Sequence, residues 1–394
     1  MKNSHILKSV SGASDIFGKD CLLLTKTADC IKKVFESFGY SRIQTPTFEY
    51  LEVFGDDMSI PTDEAIKFID TDGKVIALRP DMTTSISRAV ASHLSEEPLP
   101  LRLYYHGKVY RSGESYMSAK KREFTQAGVE IIGTNTPEAD AEVIALTINA
   151  LLSCGLKDFQ IELTHSDFIF GIIEDCALSD EDSKVLRNLL DKKFTLGVEE
   201  FCSLHQISGI NRDILTEVSL YFGSGEEVLS KYKNYNLNPI SKKAIDDLYR
   251  VYTILKEYKL EKYITVDLGQ IRSFKYYTGV IFRGLTTASA FPICGGGRYD
   301  TLGRRFDLDL PATGVAIWVD RLADALLRSN PDMDLNTAPD AIIFTSSQNR
   351  AEAYLLAESL RKEGKRVVLD VCSLSEEEAK QSAKERNIPN IYIM

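Results

Sequence analysis

The most informative chemical feature of the sequence is a polar pair on one predicted strand. The segment Glu123–Gly133, EFTQAGVEIIG, has the apolar and β-branched composition of a strand. Because strand side chains point alternately to the two faces of a sheet, Gln126, Gly128 and Glu130 are expected on the same face, together with Phe124. An amide and a carboxylate that share a face are the first indication of a binding site.

A run of three glycines, Gly295–Gly297, is the second feature. It lies in the string CGGGRYDTLG, which follows RSFKYYTG along the chain. Glycines at a strand end let the backbone approach a ligand or a neighbouring strand closely. The sequence contains neither GxGxxG nor GxxxxGK[ST], and it also lacks GxSxG and HExxH. The usual nucleotide-binding loops are therefore not predicted.

Neither a metal site nor a disulfide framework is predicted. The five histidines have no ligand spacing, and the seven cysteines include no CxxC pair. Cys294, next to the glycine run, is expected to be a small buried apolar residue. We therefore predict no metal and no cofactor.

The elements that must position these residues begin with a helix and a sheet edge. Apolar residues recur every three or four positions over Lys19–Phe38, which predicts an amphipathic helix that Gly39 ends. An extended stretch follows over Ser41–Tyr50. Pro46 confines this stretch to a sheet edge or an interface, because proline cannot donate a backbone hydrogen bond.

The rest of the chain predicts a mixed α and β organisation. The elements of its first half are a hairpin at Asp72-Gly73, a helix from Asp81 to about His93, strands at Leu101–Arg111 and Glu123–Gly133, and a helix that begins at Thr136-Pro137 and ends near Cys154-Gly155. Residues from about 168 to 263 predict a helical insertion. The strings ITVDLG, YYTGVIFRG, AFPICGGG and ATGVAIWV then predict strands of an antiparallel sheet.

Length and composition predict a folded protein with more than one domain. A chain of 394 residues, of which 44% are apolar, fits two or three domains and excludes a disordered or collagen-like chain. The segment NPDMDLNTAP has the composition of a linker. We predict a core domain over residues 1–328, a linker over 329–338, and a small β-α-β-α-β domain over 339–394.

The charge balance limits the classes of partner. The net charge of −10 argues against broad nucleic-acid binding, which needs clustered basic residues. Lys120, Lys121 and Arg122 are therefore expected to form a solvated loop. The sequence has no apolar run of the length that a signal peptide or a membrane span needs, which predicts a soluble cytoplasmic protein without a membrane partner.

Five motifs resemble a known family in their order and spacing. LRPDMT, KREFTQAGVE, RSFKYYTG, CGGGRYDTL and GVAIWVDRL look like the catalytic core of histidyl-tRNA synthetase over roughly residues 10 to 325. One such motif would be weak evidence, whereas five in order are strong evidence. The resemblance implies an α+β fold of the class II aminoacyl-tRNA synthetase type, in which helices flank an antiparallel sheet.

The sequence looks more like a second branch of that family, the regulatory subunits of ATP phosphoribosyltransferase. The strings RPDMTT, LRLYYHGKVYR, REFTQAGVEIIG and EADAEVIAL carry this likeness. Trp318 stands where the synthetases have a glycine that lies against ATP. The loop between Arg111 and Phe124 is longer and displaces Glu114, and Lys275 replaces an aspartate. The C-terminal unit is also shorter than the anticodon-binding domain of the synthetases.

The resemblance implies a pocket for free histidine. It would use Asp81 and Thr83 for the amine with Gln126 beside them, Glu130 and Tyr277 for the imidazole, Arg272 for the carboxylate, and Tyr276 with Gly295–Gly297 as the wall. Simpler roles stay open for three of these residues. Arg272 could pair with Glu130 or Asp81, Asp81 could cap the helix beside it, and Tyr276 could be a core residue.

Further residues imply a vestigial nucleotide or anion site. Arg111, Arg272 and Arg321 stand where the synthetases hold ATP and the substrate carboxylate, and Glu114 and Trp318 belong to the same region. These arginines could bind another anion or form salt bridges.

The resemblance implies a non-catalytic subunit with no catalytic residue of its own. Such a protein activates the short-form catalytic subunit of ATP phosphoribosyltransferase in histidine biosynthesis and mediates feedback by histidine as effector. It would form a homodimer through the Pro46 strand and the preceding helix within a hetero-octamer, and tRNA is not expected as a partner. A histidyl-tRNA synthetase and a stand-alone amino-acid sensor are the alternatives.

Overall fold

The structure, a computed structural model, describes residues 7–55, 64–112, 121–270, 277–345, 348–372 and 374–394. The chain forms two compact units, one of Met1–Asp15 with Leu24–Asp332 and the other of Ile16–Leu23 with Met333–Met394. The linker over residues 329–338 stays a prediction.

Strands and helices alternate along most of the described chain. The strands are β1 (Ser41–Arg42), β2 (Phe48–Tyr50), β3 (Lys67–Ile69), β4 (Val75–Leu78), β5 (Leu101–Tyr110), β6 (Glu123–Ile132), β7 (Gln160–His165), β8 (Phe222–Ser224), β9 (Ile264–Asp267), β10 (Val280–Leu285), β11 (Cys294–Arg298), β12 (Ala312–Trp318), β13 (Ala341–Phe344), β14 (Val367–Leu369) and β15 (Asn390–Ile393). The helices are α1 (Gly18–Ser37), α2 (Thr83–His93), α3 (Pro137–Ser153), α4 (Ser166–Asp175), α5 (Asp180–Asp191), α6 (Thr195–Leu204), α7 (Gly209–Glu217), α8 (Gly225–Lys233), α9 (Pro239–Glu257), α10 (Val319–Ser329), α11 (Arg350–Lys362) and α12 (Glu376–Glu385).

The largest sheet organises the first unit. Within the described ranges it has nine strands in the order β1-β5-β6-β12-β11-β10-β7-β9-β8. All neighbours pair antiparallel except β1 with β5 and β7 with β9, which are parallel. The predicted antiparallel arrangement is therefore correct for the central strands that carry the site residues.

The N-terminal elements agree with the sequence predictions. Ala28, Ile31 and Phe35 form the buried side of α1. The hairpin at Asp72-Gly73 joins β3 to β4, which pairs in turn with β2 in a three-stranded sheet. Pro46 lies between β1 and β2, and both strands are sheet edges. This placement fits a residue that cannot donate a ladder hydrogen bond.

The predicted insertion is helical with one exception. Helices α4 to α9 account for most of it, but Phe222–Ser224 forms β8, which pairs antiparallel with β9 and extends the main sheet. A strand of three residues around Gly223 is too short to show an alternating pattern, so no pattern in the sequence indicates it.

The two faces of the main sheet have different surroundings. One face packs against α3 and α9: Asp140 of α3 binds Arg298 of β11 with an Nη2–Oδ1 distance of 3.0 Å. We call this the back face. The other face carries Glu130, whose carboxylate binds Thr83 of α2, and we call it the site face.

The second unit contains a parallel sheet of its own. Its strands follow the order β14-β13-β15, and α11 and α12 connect them. Ala341 and Ile343 of β13 pack with α11, while Ile342 and Phe344 pack with α12. The unit has the predicted β-α-β-α-β order.

Candidate functional site

Glu130 is the centre of the candidate site. It lies on β6 between Leu103 of β5 and Gly314 of β12, and only 1% of its surface is exposed. The Thr83 hydroxyl donates to Glu130 Oε1 at 2.8 Å, and the Tyr299 hydroxyl donates to Oε2 at 2.5 Å. The carboxylate is thus held from two elements, the first turn of α2 and the segment after β11.

Burial strongly changes the acidity of this carboxylate. Removal from water raises the pKa of Glu130 to about 8, although the Tyr299 and Thr83 hydroxyls act in the opposite direction; the nearby Asp81 charge raises it further. In the described part of the chain, no basic side chain pairs with Glu130. A ligand that brings positive charge or a strong hydrogen-bond donor would therefore stabilise the ionised form.

Small residues make room for the carboxylate and for a neighbouring tyrosine. A Cβ atom at Gly314 would lie 1.7 Å from Glu130 Oε2, and one at Gly128 would lie 2.4 Å from the Tyr105 hydroxyl oxygen. Both contacts are far shorter than van der Waals distance. Glycine at these two positions is therefore a condition for the site.

Tyr105 and Tyr299 belong to the site, although the sequence reasoning missed both. Tyr105 lies opposite Gly128 on the site face, and its hydroxyl donates weakly to Val315 O at 3.4 Å. Burial, followed by the Glu130 charge, raises the pKa of Tyr105 well above its usual value. The pairing of a tyrosine with a glycine across two strands was the signal that could have indicated it. Tyr299 stands in the CGGGRYD string without a predicted role.

The structure brings several predicted pocket residues together. Thr83 contacts Glu130 directly. Asp81 Oδ1 accepts a hydrogen bond from the Thr84 backbone N at 2.9 Å, which is the helix-capping role considered for it. Gln126 is buried on β6 beside Trp318. The assignment of these side chains to a ligand amine stays a prediction.

Tyr277 is the remaining predicted pocket residue that the structure describes. It is half-buried beside the core around β5 and β6, and its Cε1 atom would lie 3.0 Å from a Cβ at Gly297. It therefore borders the glycine run. The predictions for five other residues lie outside the described residues: Glu114, Lys120, Arg272, Lys275 and Tyr276.

The opposite end of β6 and β12 contains an aromatic stack around Arg321. Its guanidinium carbon lies 4.9 Å from the ring centroid of Trp318 and 5.2 Å from that of Phe291. Arg321 Nη1 also donates to Pro292 O at 2.9 Å. Trp318 is 4% exposed, and its indole N–H has no hydrogen-bond partner in the described structure. A cavity of about 240 Å³ remains beside this stack, with Phe124 in its lining.

Arg111 and Lys121 have partners within the described chain. Arg111 is buried, its Nε donates to Pro80 O at 3.0 Å, and its guanidinium lies over the Phe124 ring. Lys121 lies 3.6 Å from Asp320 and is half exposed, as predicted for a solvated loop. Arg122 differs from that prediction, because its side chain is partly buried and its Nε is fully buried. Cys294 is fully buried, as expected.

Two further features bear on the class of site. Among the described residues, His, Cys, Asp and Glu side chains do not cluster in threes that could hold a metal ion. Membrane-spanning length and apolarity are likewise not reached by any helix in that part of the chain.

Comparison with known proteins identifies the family and the structures that share this fold. The family described as histidyl-tRNA synthetase matches residues 12–322. A crystal structure from Bacillus halodurans, titled ATP phosphoribosyltransferase regulatory subunit/histidyl-tRNA synthetase, superposes with a TM-score of 0.87 at 31% identity and covers 98% of both chains. Histidyl-tRNA synthetase from Nostoc sp. PCC 7120 superposes with a TM-score of 0.82 at 21% identity, over 97% of this chain and 90% of that one. These likenesses confirm the predicted class II synthetase-like fold.

The curated relatives add sequence similarity over nearly the whole chain. A protein of Acetivibrio thermocellus named ATP phosphoribosyltransferase regulatory subunit is 38% identical over 381 residues, which are 96% of this chain and 90% of that protein. A protein of the same name from Caldanaerobacter subterraneus subsp. tengcongensis is 41% identical over 356 residues, which are 90% and 91% of the two chains.

Proposed function

The chain belongs to the ATP phosphoribosyltransferase regulatory subunits, a branch of the histidyl-tRNA synthetase family, and from this membership we propose that it regulates an ATP phosphoribosyltransferase in histidine biosynthesis. The branch is supported by 35–41% identity to eight curated relatives with that name. Regulation here means that the chain activates a short-form catalytic subunit, which condenses ATP with phosphoribosyl pyrophosphate.

The arrangement around Trp318 supports a role without adenylation of an amino acid. The indole fills space against Arg321, so the guanidinium already has an aromatic partner within the chain. The cavity that remains, about 240 Å³, is below the range of about 300–1,000 Å³ that is usual for small-molecule sites. This stacking is the observation that carries the non-catalytic proposal, because a nucleotide would need the space that the indole takes.

The pocket around Glu130 supports histidine as the effector. An imidazole has a ring N–H that can donate to the carboxylate, and an imidazolium would also restore its charge balance. Histidine regulates the complex only if it binds one assembly state more tightly than another, and such coupling is typically about 1–3 kcal/mol. The amine would then be bound by Asp81, Thr83 and Gln126.

An exposed apolar surface supports association with a second copy of the chain. Phe48 and Tyr50 of β2 and Phe68 of β3 lie on one face of the small sheet next to Pro46, and each is 42–55% exposed. Large apolar side chains grouped in this way mark interaction surfaces. We place the homodimer interface here and in α1, and the catalytic subunits complete a hetero-octamer.

Reconstitution with a short-form catalytic subunit tests the proposal. The purified chain is mixed with that subunit, and pyrophosphate release from ATP and phosphoribosyl pyrophosphate is measured with and without histidine. We expect the chain to increase the rate and histidine to reduce it. Histidine- and tRNA-dependent AMP formation by the chain alone would instead identify a synthetase. Histidine binding without any effect on the catalytic subunit would identify a stand-alone sensor.

A further inference from the structure

The back face of the main sheet contains a polar cavity that lies apart from both ends of the site face. The cavity has a volume of about 270 Å³ and is bordered by the ends of β7, β10 and β11, by α9 and by the first turn of α3. This volume is below the range of about 300–1,000 Å³ that is usual for small-molecule sites, so the cavity suits a ligand of few atoms. We call it the back cavity and define it by five of the residues that line it: His165, Lys243, Asp247, Arg250 and Asp300.

His165 contributes a buried hydrogen-bond donor to the back cavity. Its side chain is 2% exposed, and its Nδ1 accepts a hydrogen bond from the Asp167 backbone N at 3.1 Å. Burial lowers the pKa of His165 to about 4, although the Asp167 and Asp247 charges act in the opposite direction. The ring is therefore neutral at pH 7 and carries its proton on Nε2.

The Nε2–H group of His165 has no hydrogen-bond acceptor among the described residues. The carboxylate that faces it, Asp247 Oδ2, is 3.8 Å from Nε2, which is longer than a hydrogen bond. Because both residues line the back cavity, Nε2–H is directed into it between them. A buried donor without an acceptor costs free energy, so a ligand oxygen in the cavity would stabilise this group.

Helix α9 adds two cations at the same cavity. Lys243 Nζ lies 2.7 Å from Asp247 Oδ2, and Arg250 Nη1 lies 3.8 Å from Asp247 Oδ1. Two cations beside one carboxylate leave one positive charge uncompensated. The Arg250 side chain is 67% exposed and makes no hydrogen bond within the described ranges. Because arginine binds carboxylate or phosphate through paired N–H groups, this guanidinium is suited to an oxyanion.

The opposite wall of the back cavity carries carboxylates. Arg298 pairs there with Asp140 and with Asp300. Asp300 Oδ1 accepts hydrogen bonds from Arg298 and from the Ala312 backbone N, whereas Oδ2 accepts none in the part of the chain that the structure describes. The Asp300 side chain is 32% exposed. A bare anion would be repelled by this carboxylate, but a hydroxyl group beside the anion could donate to it.

We propose that the back cavity binds a small oxyanion, either a phosphate or a carboxylate, that carries a neighbouring hydroxyl group. Arg250 and Lys243 bind the charged group. His165 Nε2 donates to a ligand oxygen, and Asp300 accepts from the hydroxyl group. Because the back cavity and Glu130 are on opposite faces of the sheet, this site does not depend on the proposed histidine pocket.

Three related compounds test the class of ligand. Glycerol 3-phosphate, glycerate and glycerol share a pair of neighbouring hydroxyl groups and carry a phosphate, a carboxylate or no charged group. Ligand-observed NMR titrations with the full wild-type chain give the dissociation constant of each. We expect at least one of the two anions to bind at least tenfold more tightly than glycerol. Tighter binding of glycerol 3-phosphate identifies a phosphate site, and tighter binding of glycerate identifies a carboxylate site.

Two variants assign the binding to the back cavity. His165→Asn removes the Nε2 donor, and its amide oxygen can still cap α4, because asparagine is a favoured N-cap residue. Arg250→Gln removes the guanidinium of an exposed side chain. Each variant should weaken binding of the anion at least fivefold. Lys242→Gln is the matched control, because it removes one positive charge from α9 at a residue that does not line the cavity, and it should leave the affinity unchanged.

Thermal unfolding of each variant shows whether it is folded, and Arg250→Gln decides the test if His165→Asn does not fold. The proposal is overturned if the wild type binds neither anion, or if glycerol binds as tightly as the anions. It is also overturned if Arg250→Gln weakens binding no more than Lys242→Gln does, or if folded His165→Asn retains the wild-type affinity.

Discussion

The two ends of the site face, both built on β6 and β12, accommodate charged side chains in opposite ways. At one end Glu130 is buried with two hydroxyl donors, and in the described chain it has no cationic partner. At the other end the Arg321 guanidinium lies against the rings of Trp318 and Phe291. The first end gains stability when a ligand supplies the missing charge or donor. The second already has its partner within the protein, so it has less to gain from a ligand.

The largest expected effect is on the pH dependence of stability, through Glu130. Its pKa is raised from 4.5 to about 8 in the folded chain, so between these values the folded state binds more protons than the unfolded state. Stability should therefore fall as pH rises through this window, by up to about 5 kcal/mol at about 1.4 kcal/mol per pKa unit.

Urea unfolding of the wild type and Glu130→Gln at pH 5, 7 and 9 measures this contribution. The glutamine variant should lose the decline between pH 5 and 9. Glu142→Gln, which removes a carboxylate bound to Arg102 and Tyr40 away from the site, is the control and should retain it. If the free energy of unfolding depended on pH in the same way in the wild type and in Glu130→Gln, burial would not disfavour the ionised form of Glu130, and the prediction would be wrong.

Replacement of Trp318 tests the end of the site face at which the Arg321 guanidinium stacks against aromatic rings. Trp318→Gly should lower the free energy of unfolding by about 3–5 kcal/mol, because a large buried side chain leaves a cavity. The same variant should bind ATP more tightly than the wild type in a calorimetric titration. Phe168→Ala, a fully buried aromatic in α4, should destabilise the chain without that gain. Equal ATP affinity in the wild type and Trp318→Gly would contradict the view that the indole occupies nucleotide space.

A methyl group added at Gly314 should displace the Glu130 carboxylate and also strain the pairing of β12 with β6, because the new Cβ would lie 2.6 Å from the Val129 carbonyl oxygen. The new Cβ of Gly314→Ala would lie 1.7 Å from Glu130 Oε2, so the carboxylate must move. We expect a loss of about 3 kcal/mol in unfolding free energy, the upper end of the usual cost of overpacking, together with weaker histidine binding. Thermal unfolding and calorimetry measure the two effects. Unchanged histidine affinity would separate Glu130 from the ligand.

The smallest expected effect is a loss of histidine affinity when the Glu130 carboxylate is replaced by an amide of the same shape. Glu130→Gln should weaken histidine binding about 10- to 100-fold, because a hydrogen bond to a charged group contributes about 1.5–3 kcal/mol. Titrations of both proteins at pH 7 provide the comparison. A glutamine variant that binds histidine as tightly as the wild type would exclude a charge-dependent contact.

Local sequence patterns were sufficient to predict most of the secondary-structure elements and the protein family. The alternation in Glu123–Gly133 predicted that Gln126 and Glu130 share a face, and the five ordered motifs predicted the synthetase-like fold that the comparisons confirm. Both depend on spacing along the sequence, which one strand or one motif determines by itself. Strand β8 was missed because three residues do not establish a period.

The tertiary structure decided which residues meet. Tyr105 and Tyr299 join Glu130 from separate segments of the chain, the first through the register of β5 with β6 and the second from the segment after β11. The raised pKa of Glu130 likewise comes from burial by those segments. Contacts between residues far apart in sequence depend on strand order and register, and these follow from the packing of the whole sheet rather than from any single segment.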